Sequence, residues 1–237
     1  MRIFAGIILF STIGFTGLVC AEDSGLQEAV ALVENEEFEK AYAIVAPLAE
    51  TDAGPPGAHY LSGYLSHHGL GTEKNVKEAL IQYERAALSG NEEAQFALAK
   101  LAIDGVEVKR DLEAAAGWLK HAVIRGYPLA QVNLASLYLD GRGVERDEAY
   151  GVLLFQEAAF SGFPEAMTAM GLLVHQGADG AGLSTADWFE KAARAGDAQG
   201  QFLYAVALTQ GDGREKNPSE ALTWLCLLYT SPSPRDS

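Results

Sequence analysis

The side chains best suited to acid–base or metal chemistry are few in this 237-residue chain. His67 and His68 are adjacent, and His175 lies far from both along the sequence. Each of these histidines stands near the predicted end of a helix, where a positive side chain interacts favourably with the C-terminal dipole. We therefore interpret them as helix-end residues rather than as metal ligands.

The motifs that mark common enzymes are absent from the sequence. No Ser is followed by Lys three residues later, and neither GxSxG nor HExxH occurs. The GxG segments lie between predicted helices rather than after a strand, so they predict turns. Three aspartates that could suggest calcium lack the dense carboxylate spacing of a calcium loop: Asp140, Asp179 and Asp212. We predict no catalytic residue, no metal and no cofactor.

The N-terminal segment has the pattern of an export signal. Arg2 precedes an apolar run from residue 3 to residue 19, and acidic residues follow Ala21 at once. The run is short for a membrane span. We predict a signal peptide at residues 1–21, cleavage after Ala21, and a periplasmic or secreted protein without an integral membrane span. Acylation of Cys20, as in a lipoprotein, is the alternative, which the branched Val19 disfavours.

The C-terminal segment departs from the preceding pattern in what is predicted to be the middle of a helix. Residues 226–236 match the in-frame translation of a transposase sequencing adapter. We interpret residues 226–237 as a non-native tail and expect the gene to be truncated near Leu225. A genuine proline-rich tail is the alternative.

The remaining chain, residues 22–225, is strongly acidic. Removing Arg2, Arg235 and Asp236 from 17 basic and 32 acidic residues leaves 15 minus 31, a net charge of −16. This charge argues against nucleic acid or anionic lipid as a partner, because both require Lys and Arg to neutralise phosphates. Residues 22–225 also contain no cysteine, which excludes a disulfide framework, a thiolate metal site and a cysteine nucleophile.

Glycines divide the chain into repeats. One series recurs every 36 residues and then after 34: Gly54, Gly90, Gly126, Gly162 and Gly196. A second series keeps the same spacings: Gly69, Gly105, Gly141, Gly177 and Gly211. Two series that share one period and one deletion identify a repeat protein.

Each repeat has the pattern of a helical hairpin. Ala79, Tyr83 and Ala86 recur at helical spacing in a first helix, and Ala94 and Leu98 do so in a second helix after the glycine. Side-chain caps are expected where the first helices begin: Asn75, Asp111, Asp147, Ser184 and Asn217. Four glycines of the first series are expected to end those helices in the left-handed conformation: Gly90, Gly126, Gly162 and Gly196.

The repeat motifs carry a resemblance to a known family. Residues 122–126 read AVIRG, residues 130–138 read AQVNLASLY, and residues 140–144 read DGRGV. These segments resemble the Sel1-like repeats, a branch of the tetratricopeptide-type solenoids. The resemblance covers residues 38–225 and implies an all-α fold, a right-handed α-solenoid of stacked helix-turn-helix repeats that is truncated in the sixth unit. Residues 22–50 are expected to form acidic capping helices at its N-terminal end.

Large side chains share one column of the repeat. All three tryptophans, Trp118, Trp188 and Trp224, align with Gln82 and Leu154. The column has two interpretations. It either packs neighbouring repeats together, or forms a partly exposed ladder that anchors a partner's peptide. On the second interpretation the partner-binding residues are Gln82, Trp118, Leu154 and Trp188.

The sequence thus predicts an exported, monomeric, non-catalytic scaffold or adaptor. By resemblance its partner is another protein, and the charge of −16 favours a basic or amphipathic segment. One alternative is a β-lactamase-like or penicillin-binding enzyme, as described for Sel1-like proteins stapled by cysteine pairs that this chain lacks. The other is a module that binds peptidoglycan or glycans, supported only by Trp118 and Trp188.

Overall fold

Within residues 24–230, the part of the chain described by the computed structural model, the regular secondary structure is entirely α-helical. The expected signal peptide and residues 231–237 lie outside the described residues. None of the described helices is long and apolar enough to cross a bilayer. The helices are α1 (Ser24–Glu34), α2 (Phe38–Leu48), α3 (Pro56–His68), α4 (Val76–Leu88), α5 (Glu92–Asp104), α6 (Leu112–Ile124), α7 (Pro128–Asp140), α8 (Glu148–Phe160), α9 (Pro164–His175), α10 (Thr185–Arg194), α11 (Ala198–Gln210) and α12 (Pro218–Thr230).

The described helices form two compact bodies that divide after Arg125. The N-terminal body contains α1–α6 and the C-terminal body contains α7–α12. Inside each body, helices pack mainly against their neighbours along the chain, as expected for hairpins. Buried apolar side chains, many of them Ala or Leu, line these helix–helix contacts.

The predicted caps are confirmed at the starts of the first helices. The side chains of Asn75, Asp111 and Asp147 each accept a hydrogen bond from the backbone N–H three residues later, at 3.1, 2.9 and 3.0 Å. Ser184 forms a capping box with Asp187. Because the cap satisfies a free backbone donor, it defines where each helix begins.

The loops between repeats carry a recurring backbone clasp. The N–H groups of Asn75, Asp111, Asp147 and Asn217 donate to carbonyl oxygens near the end of the preceding helix, at 2.8, 3.0, 3.1 and 2.9 Å. In the shortened repeat, Ser184 donates to the Asp187 carboxylate instead. Four of the five loops that precede α4, α6, α8, α10 and α12 are therefore closed by a backbone hydrogen bond.

Left-handed residues end the helices. The predicted glycines Gly90, Gly126 and Gly162 have φ of 87°, 78° and 94°, which confirms their role. Two residues that are not glycine also adopt positive φ: Glu36 at 61°, after α1, and Ala181 at 53°, in the linker between α9 and α10. A Cβ is disfavoured in this conformation, so both positions are strained.

The N-terminal acidic segment folds as the expected helical pair, α1 and α2. Leu26, Ala29 and Val45 are among the side chains that form a buried cluster with α3. Glu34 and Glu39 are exposed. The charged face of this pair is therefore solvated while its apolar face is covered.

At the C-terminal end, α12 runs through Thr230. The change of pattern expected at residue 226 does not end the helix, because residues 226–230 contain neither proline nor glycine. Cys226 and Leu227 are exposed on this last stretch.

Candidate protein-binding surface

The structure places most of the tryptophan column in the interior. Gln82 retains 5% exposure, and its Oε1 lies 2.7 Å from Nδ1 of the buried His59. The Gln82 amide donates to Glu78 at 2.8 Å. Leu154 and Trp188 are each 1% exposed. Three of the four residues expected to bind a partner are therefore covered by their own chain.

The tryptophans themselves pack against neighbouring elements. The Trp188 indole donates to the Gly180 carbonyl at 3.1 Å, and its ring lies 5.5 Å from that of Phe160. Trp118 is half-buried against the cluster between α4 and α5. This arrangement corresponds to the packing interpretation of the column. The binding role of Gln82, Trp118, Leu154 and Trp188 stays a prediction.

A different column of the repeat is exposed, and the sequence reasoning missed it. Leu88, Ile124 and Phe160 end the first helices of three successive repeats, two residues before the glycine. Their exposures are 80%, 82% and 60%. The sequence did contain a signal for this exposed column. A large apolar residue recurs at a position outside the buried face of the first helix. Each of these side chains leaves most of its surface exposed, which is typical of a site of intermolecular contact.

A second exposed apolar position occurs on two of these first helices. Ile81 and Leu153 are 46% and 45% exposed, seven residues before Leu88 and Phe160. Residues three, four and seven apart share one helix face. The outer faces of α4 and α8 therefore each present two apolar side chains with a glutamate between them, Glu84 in α4 and Glu157 in α8.

The histidines predicted at helix ends lie in the last turns of their helices. His67 Nε2 contacts the Glu107 carboxylate, which also accepts from Lys74 at 2.6 Å. The hydrogen bond from Lys74 holds the pKa of Glu107 below its usual range. His175 Nδ1 lies 2.8 Å from Asp212. These pairs tie each helix end to the loop of the following repeat.

Titratable groups do not converge into a reactive centre in the described part of the chain. There, no group of three or more His, Cys, Asp or Glu side chains is placed to hold a metal ion. A cleft of about 300 Å³ is lined by Tyr42, Thr72, Lys74 and Glu78 among others. Lys74 already donates to Glu107, and the cleft residue Asn75 caps α4. Lys74 and Asn75 of this cleft are thus engaged in holding the loop.

A charged network in the C-terminal body has a similar structural role. Arg214 donates to Asp187 at 2.9 Å and to Glu190 at 2.6 Å, and its guanidinium lies 5.4 Å from the centre of the Tyr204 ring. Burial of Tyr204, with Glu190 nearby, raises its pKa to about 12. The network joins the loop after α11 to α10.

The hairpins, the caps and the exposed column define a class, namely an α-helical repeat protein built from about five similar units. Within that class the chain belongs to the Sel1 repeat family, whose repeat matches residues 56–91, 92–127, 128–162, 164–197 and 198–229. Such repeats form a scaffold for protein–protein interaction. The expected Sel1-like identity and the α-solenoid fold class are confirmed.

Solved structures share the same fold. A Sel1 repeat protein from Oxalobacter formigenes is 24% identical, with a TM-score of 0.76 over 88% of this chain and 86% of that chain. The c5321 protein, a protective antigen of uropathogenic Escherichia coli with an SLR fold, is 30% identical, with a TM-score of 0.73. The match to c5321 covers 80% of this chain but 41% of that one. The immunity protein Pa5087 from Pseudomonas aeruginosa shares the fold at 18% identity and a TM-score of 0.55. Among curated protein sequences, none matches the chain.

Proposed function

We propose that this protein is an exported, non-catalytic scaffold that holds another protein against the exposed faces of its first helices. The observation that carries the proposal is the apolar column Leu88, Ile124 and Phe160, exposed at the same position of three repeats. Exposed large apolar groups that recur in this way are typical of interaction surfaces. A Sel1 repeat supplies the rigid helical support for them.

The charge of the chain supports a partner of opposite sign. Residues 22–225 carry a net charge of −16, from 15 basic and 31 acidic residues. At physiological salt this field is screened over about 8 Å, so it guides a basic partner during close approach. A basic or amphipathic protein segment would satisfy both the charge and the apolar column.

The test uses partner capture from the native extracellular or periplasmic fraction, with covalent cross-linking. The triple variant Leu88→Ser, Ile124→Ser, Phe160→Ser should lose about tenfold or more of the captured partner. A matched triple variant changes exposed apolar residues elsewhere, Val106→Ser, Phe202→Ser and Leu222→Ser, and should retain it. Equal capture by both variants would show that the column does not bind the partner.

The same experiment also tests whether the tryptophan column binds the partner. If Trp118 and Trp188 are the anchors, replacing both with Ala should weaken binding by roughly 2 kcal/mol without loss of helicity. Unchanged affinity of this double variant, with helicity retained, would assign these side chains to packing.

Export and the non-catalytic role have separate tests. Mass spectrometry of the protein recovered from its native host should find Glu22 as the first residue. Assays of β-lactam hydrolysis with the purified protein should show no turnover above the buffer rate. A chain that retains Met1, or turnover that increases with protein concentration, would contradict the respective part of the proposal.

A further inference from the structure

We infer that the exposed stripe of α8, formed by Tyr150, Leu153, Glu157 and Phe160, is a docking site for a basic amphipathic helix of a partner protein. The inference rests on the proposed scaffold function and names both the surface and the chemistry of its occupant. The stripe lies wholly within the C-terminal body.

The α8 helix is apolar on two opposite faces. Its inner face buries Leu154 and Phe155. Its outer face exposes Tyr150, Leu153 and Phe160 at 36%, 45% and 60%. A helix on a protein surface is normally polar on the side that faces water. The second apolar face therefore indicates that another surface covers it.

The two rings at the ends of the stripe are held in place by aromatic neighbours. Phe160 packs on the buried Trp188 with ring centres 5.5 Å apart. Tyr150 meets Tyr138 edge to face with ring centres 4.9 Å apart. Side chains that are already ordered lose little rotamer entropy when a partner binds. The stripe is thus preorganised over about 15 Å, the length of ten residues of α-helix.

The helices that carry and flank the stripe along the chain are acidic. Helices α7, α8 and α9 contain no Lys or Arg, and carry four carboxylates: Asp140, Glu148, Glu157 and Glu165. Arg142 and Arg146, in the loop before α8, pair with Asp140 and Glu148 at 3.7 and 3.3 Å. Helix α10, whose Trp188 contacts Phe160, carries Lys191 and Arg194, and Arg194 pairs with Glu190.

Glu157 is the carboxylate that lies inside the stripe, between Leu153 and Phe160. Among the described residues it forms no ion pair, and the side-chain bond it accepts comes from the Gln131 amide at 3.3 Å. The corresponding face of α4 differs, because α4 carries Lys77 and Arg85 beside its glutamates. Charge complementarity therefore favours a cationic partner at α8 rather than at α4.

The spacing of the stripe favours a helical partner. Leu153 and Phe160 are seven residues apart, about 10.5 Å along the axis. A partner helix that lies alongside α8 presents apolar residues at the same i, i+7 spacing. A Lys or Arg between them would meet Glu157. This pattern of alternating apolar and basic residues defines the predicted occupant.

The experiment titrates a synthetic 18-residue helical peptide, made of Leu at i, i+3 and i+7 with Lys elsewhere, against the full chain. A scrambled peptide of the same composition without an apolar face reports attraction by charge alone. We expect the amphipathic peptide to bind at least about tenfold more tightly than the scrambled one at physiological salt.

Two matched pairs of variants locate the binding site. Leu153→Ser with Phe160→Ser should remove the preference for the amphipathic peptide, whereas Phe202→Ser with Leu222→Ser should retain it. Glu157→Lys should weaken binding about fivefold or more, whereas Glu84→Lys, with the same charge change on α4, should weaken it less than about twofold. Circular dichroism confirms that each variant keeps the wild-type helicity.

The outcomes distinguish a failure of this inference from a failure of the scaffold function. Equal weakening by Glu157→Lys and Glu84→Lys, or no preference for the amphipathic peptide, would overturn docking at α8. The scaffold function would still stand if the triple variant of the exposed column lost its natural partner. Retention of the natural partner by the triple variant would refute the exposed column. Because that variant lacks Phe160, this result would also overturn docking of the partner at α8.

Discussion

The substitution Gly200→Ala tests whether the repeat pattern or the local packing determines the stability of the fold at this position. The column of Gly200 contains alanine in the four preceding repeats, at Ala58, Ala94, Ala130 and Ala166. By that pattern, Gly200→Ala restores the typical residue. Alanine also favours a helix over glycine by up to about 1 kcal/mol, so the sequence alone predicts that the substitution stabilises the protein.

The structure predicts the opposite result. A Cβ on Gly200 would lie 2.5 Å from the Ala192 Cβ and 3.1 Å from the Ala192 carbonyl carbon. Ordinary carbon contacts are about 3.5–4.0 Å, so α10 and α11 must separate. The Cβ would also lie 2.9 Å from Thr168 Oγ1, which donates to Asp197, the cap of α11. Overpacking of this kind costs about 1–3 kcal/mol, which exceeds the gain in helix propensity.

The assay is urea unfolding followed by circular dichroism, with thermal unfolding as a second measurement. Gly200→Ala should lower the free energy of unfolding by about 1–2 kcal/mol, or the melting temperature by about 2–8 °C. The matched control is Gly117→Ala in α6, where a Cβ meets nothing within 4 Å. This control should stabilise by about 0.5–1 kcal/mol. A Gly200→Ala variant as stable as the control would refute the packing argument.

Three further substitutions test other features of the structure. Glu36→Gly should raise the free energy of unfolding by about 1 kcal/mol, because glycine relieves the φ of 61° after α1; urea unfolding measures this. Lys74→Met should raise the pKa of Glu107 toward its ordinary value of 4.5, as measured by NMR titration. Since the folded pKa is lowered, the stabilisation from Glu107 is present above pH 4.5 and is lost as the pH falls, and the variant should lose less stability on acidification. Trp188→Ala should cost about 3–5 kcal/mol because the ring is 1% exposed, whereas the half-buried Trp118→Ala should cost less.

Each of these has a result that contradicts it. A destabilised Glu36→Gly variant would mean that the left-handed residue is not strained. An unchanged titration of Glu107 would mean that Lys74 does not contact it in solution. Equal losses for the two tryptophan variants would show that their different burial has no energetic consequence.

The elements that sequence could predict are those with local causes. The caps at Asn75 and Asp111 and the left-handed glycine at Gly90 depend on residues within one turn of the helix end. The repeat period then extends the same assignment along the chain. These features could be predicted because no distant contact is needed to form them.

The candidate surface could not be predicted as well, because burial depends on neighbours from other parts of the chain. Leu153 and Leu154 are adjacent and identical, yet they are 45% and 1% exposed. One residue corresponds to about 100° around a helix, so a small error in phase exchanges an exposed face for a buried one. Trp188 is covered by Phe160 and by the linker carbonyl of Gly180, and neither contact is visible in the repeat columns.

The backbone clasp closes most of the inter-repeat loops. Loops of the C-terminal body that have the clasp should therefore resist local opening more strongly than the one loop that lacks it. In the loops before α8 and α12, the amides of Asp147 and Asn217 are bound to carbonyls of the preceding helix, so amide hydrogen exchange there requires the whole loop to detach. The linker between α9 and α10 has no such bond at Ser184, contains the strained Ala181, and is tied to α10 mainly through the side chains of Trp188 and Asp187. Exchange should therefore be faster in this linker than in the loops before α8 and α12.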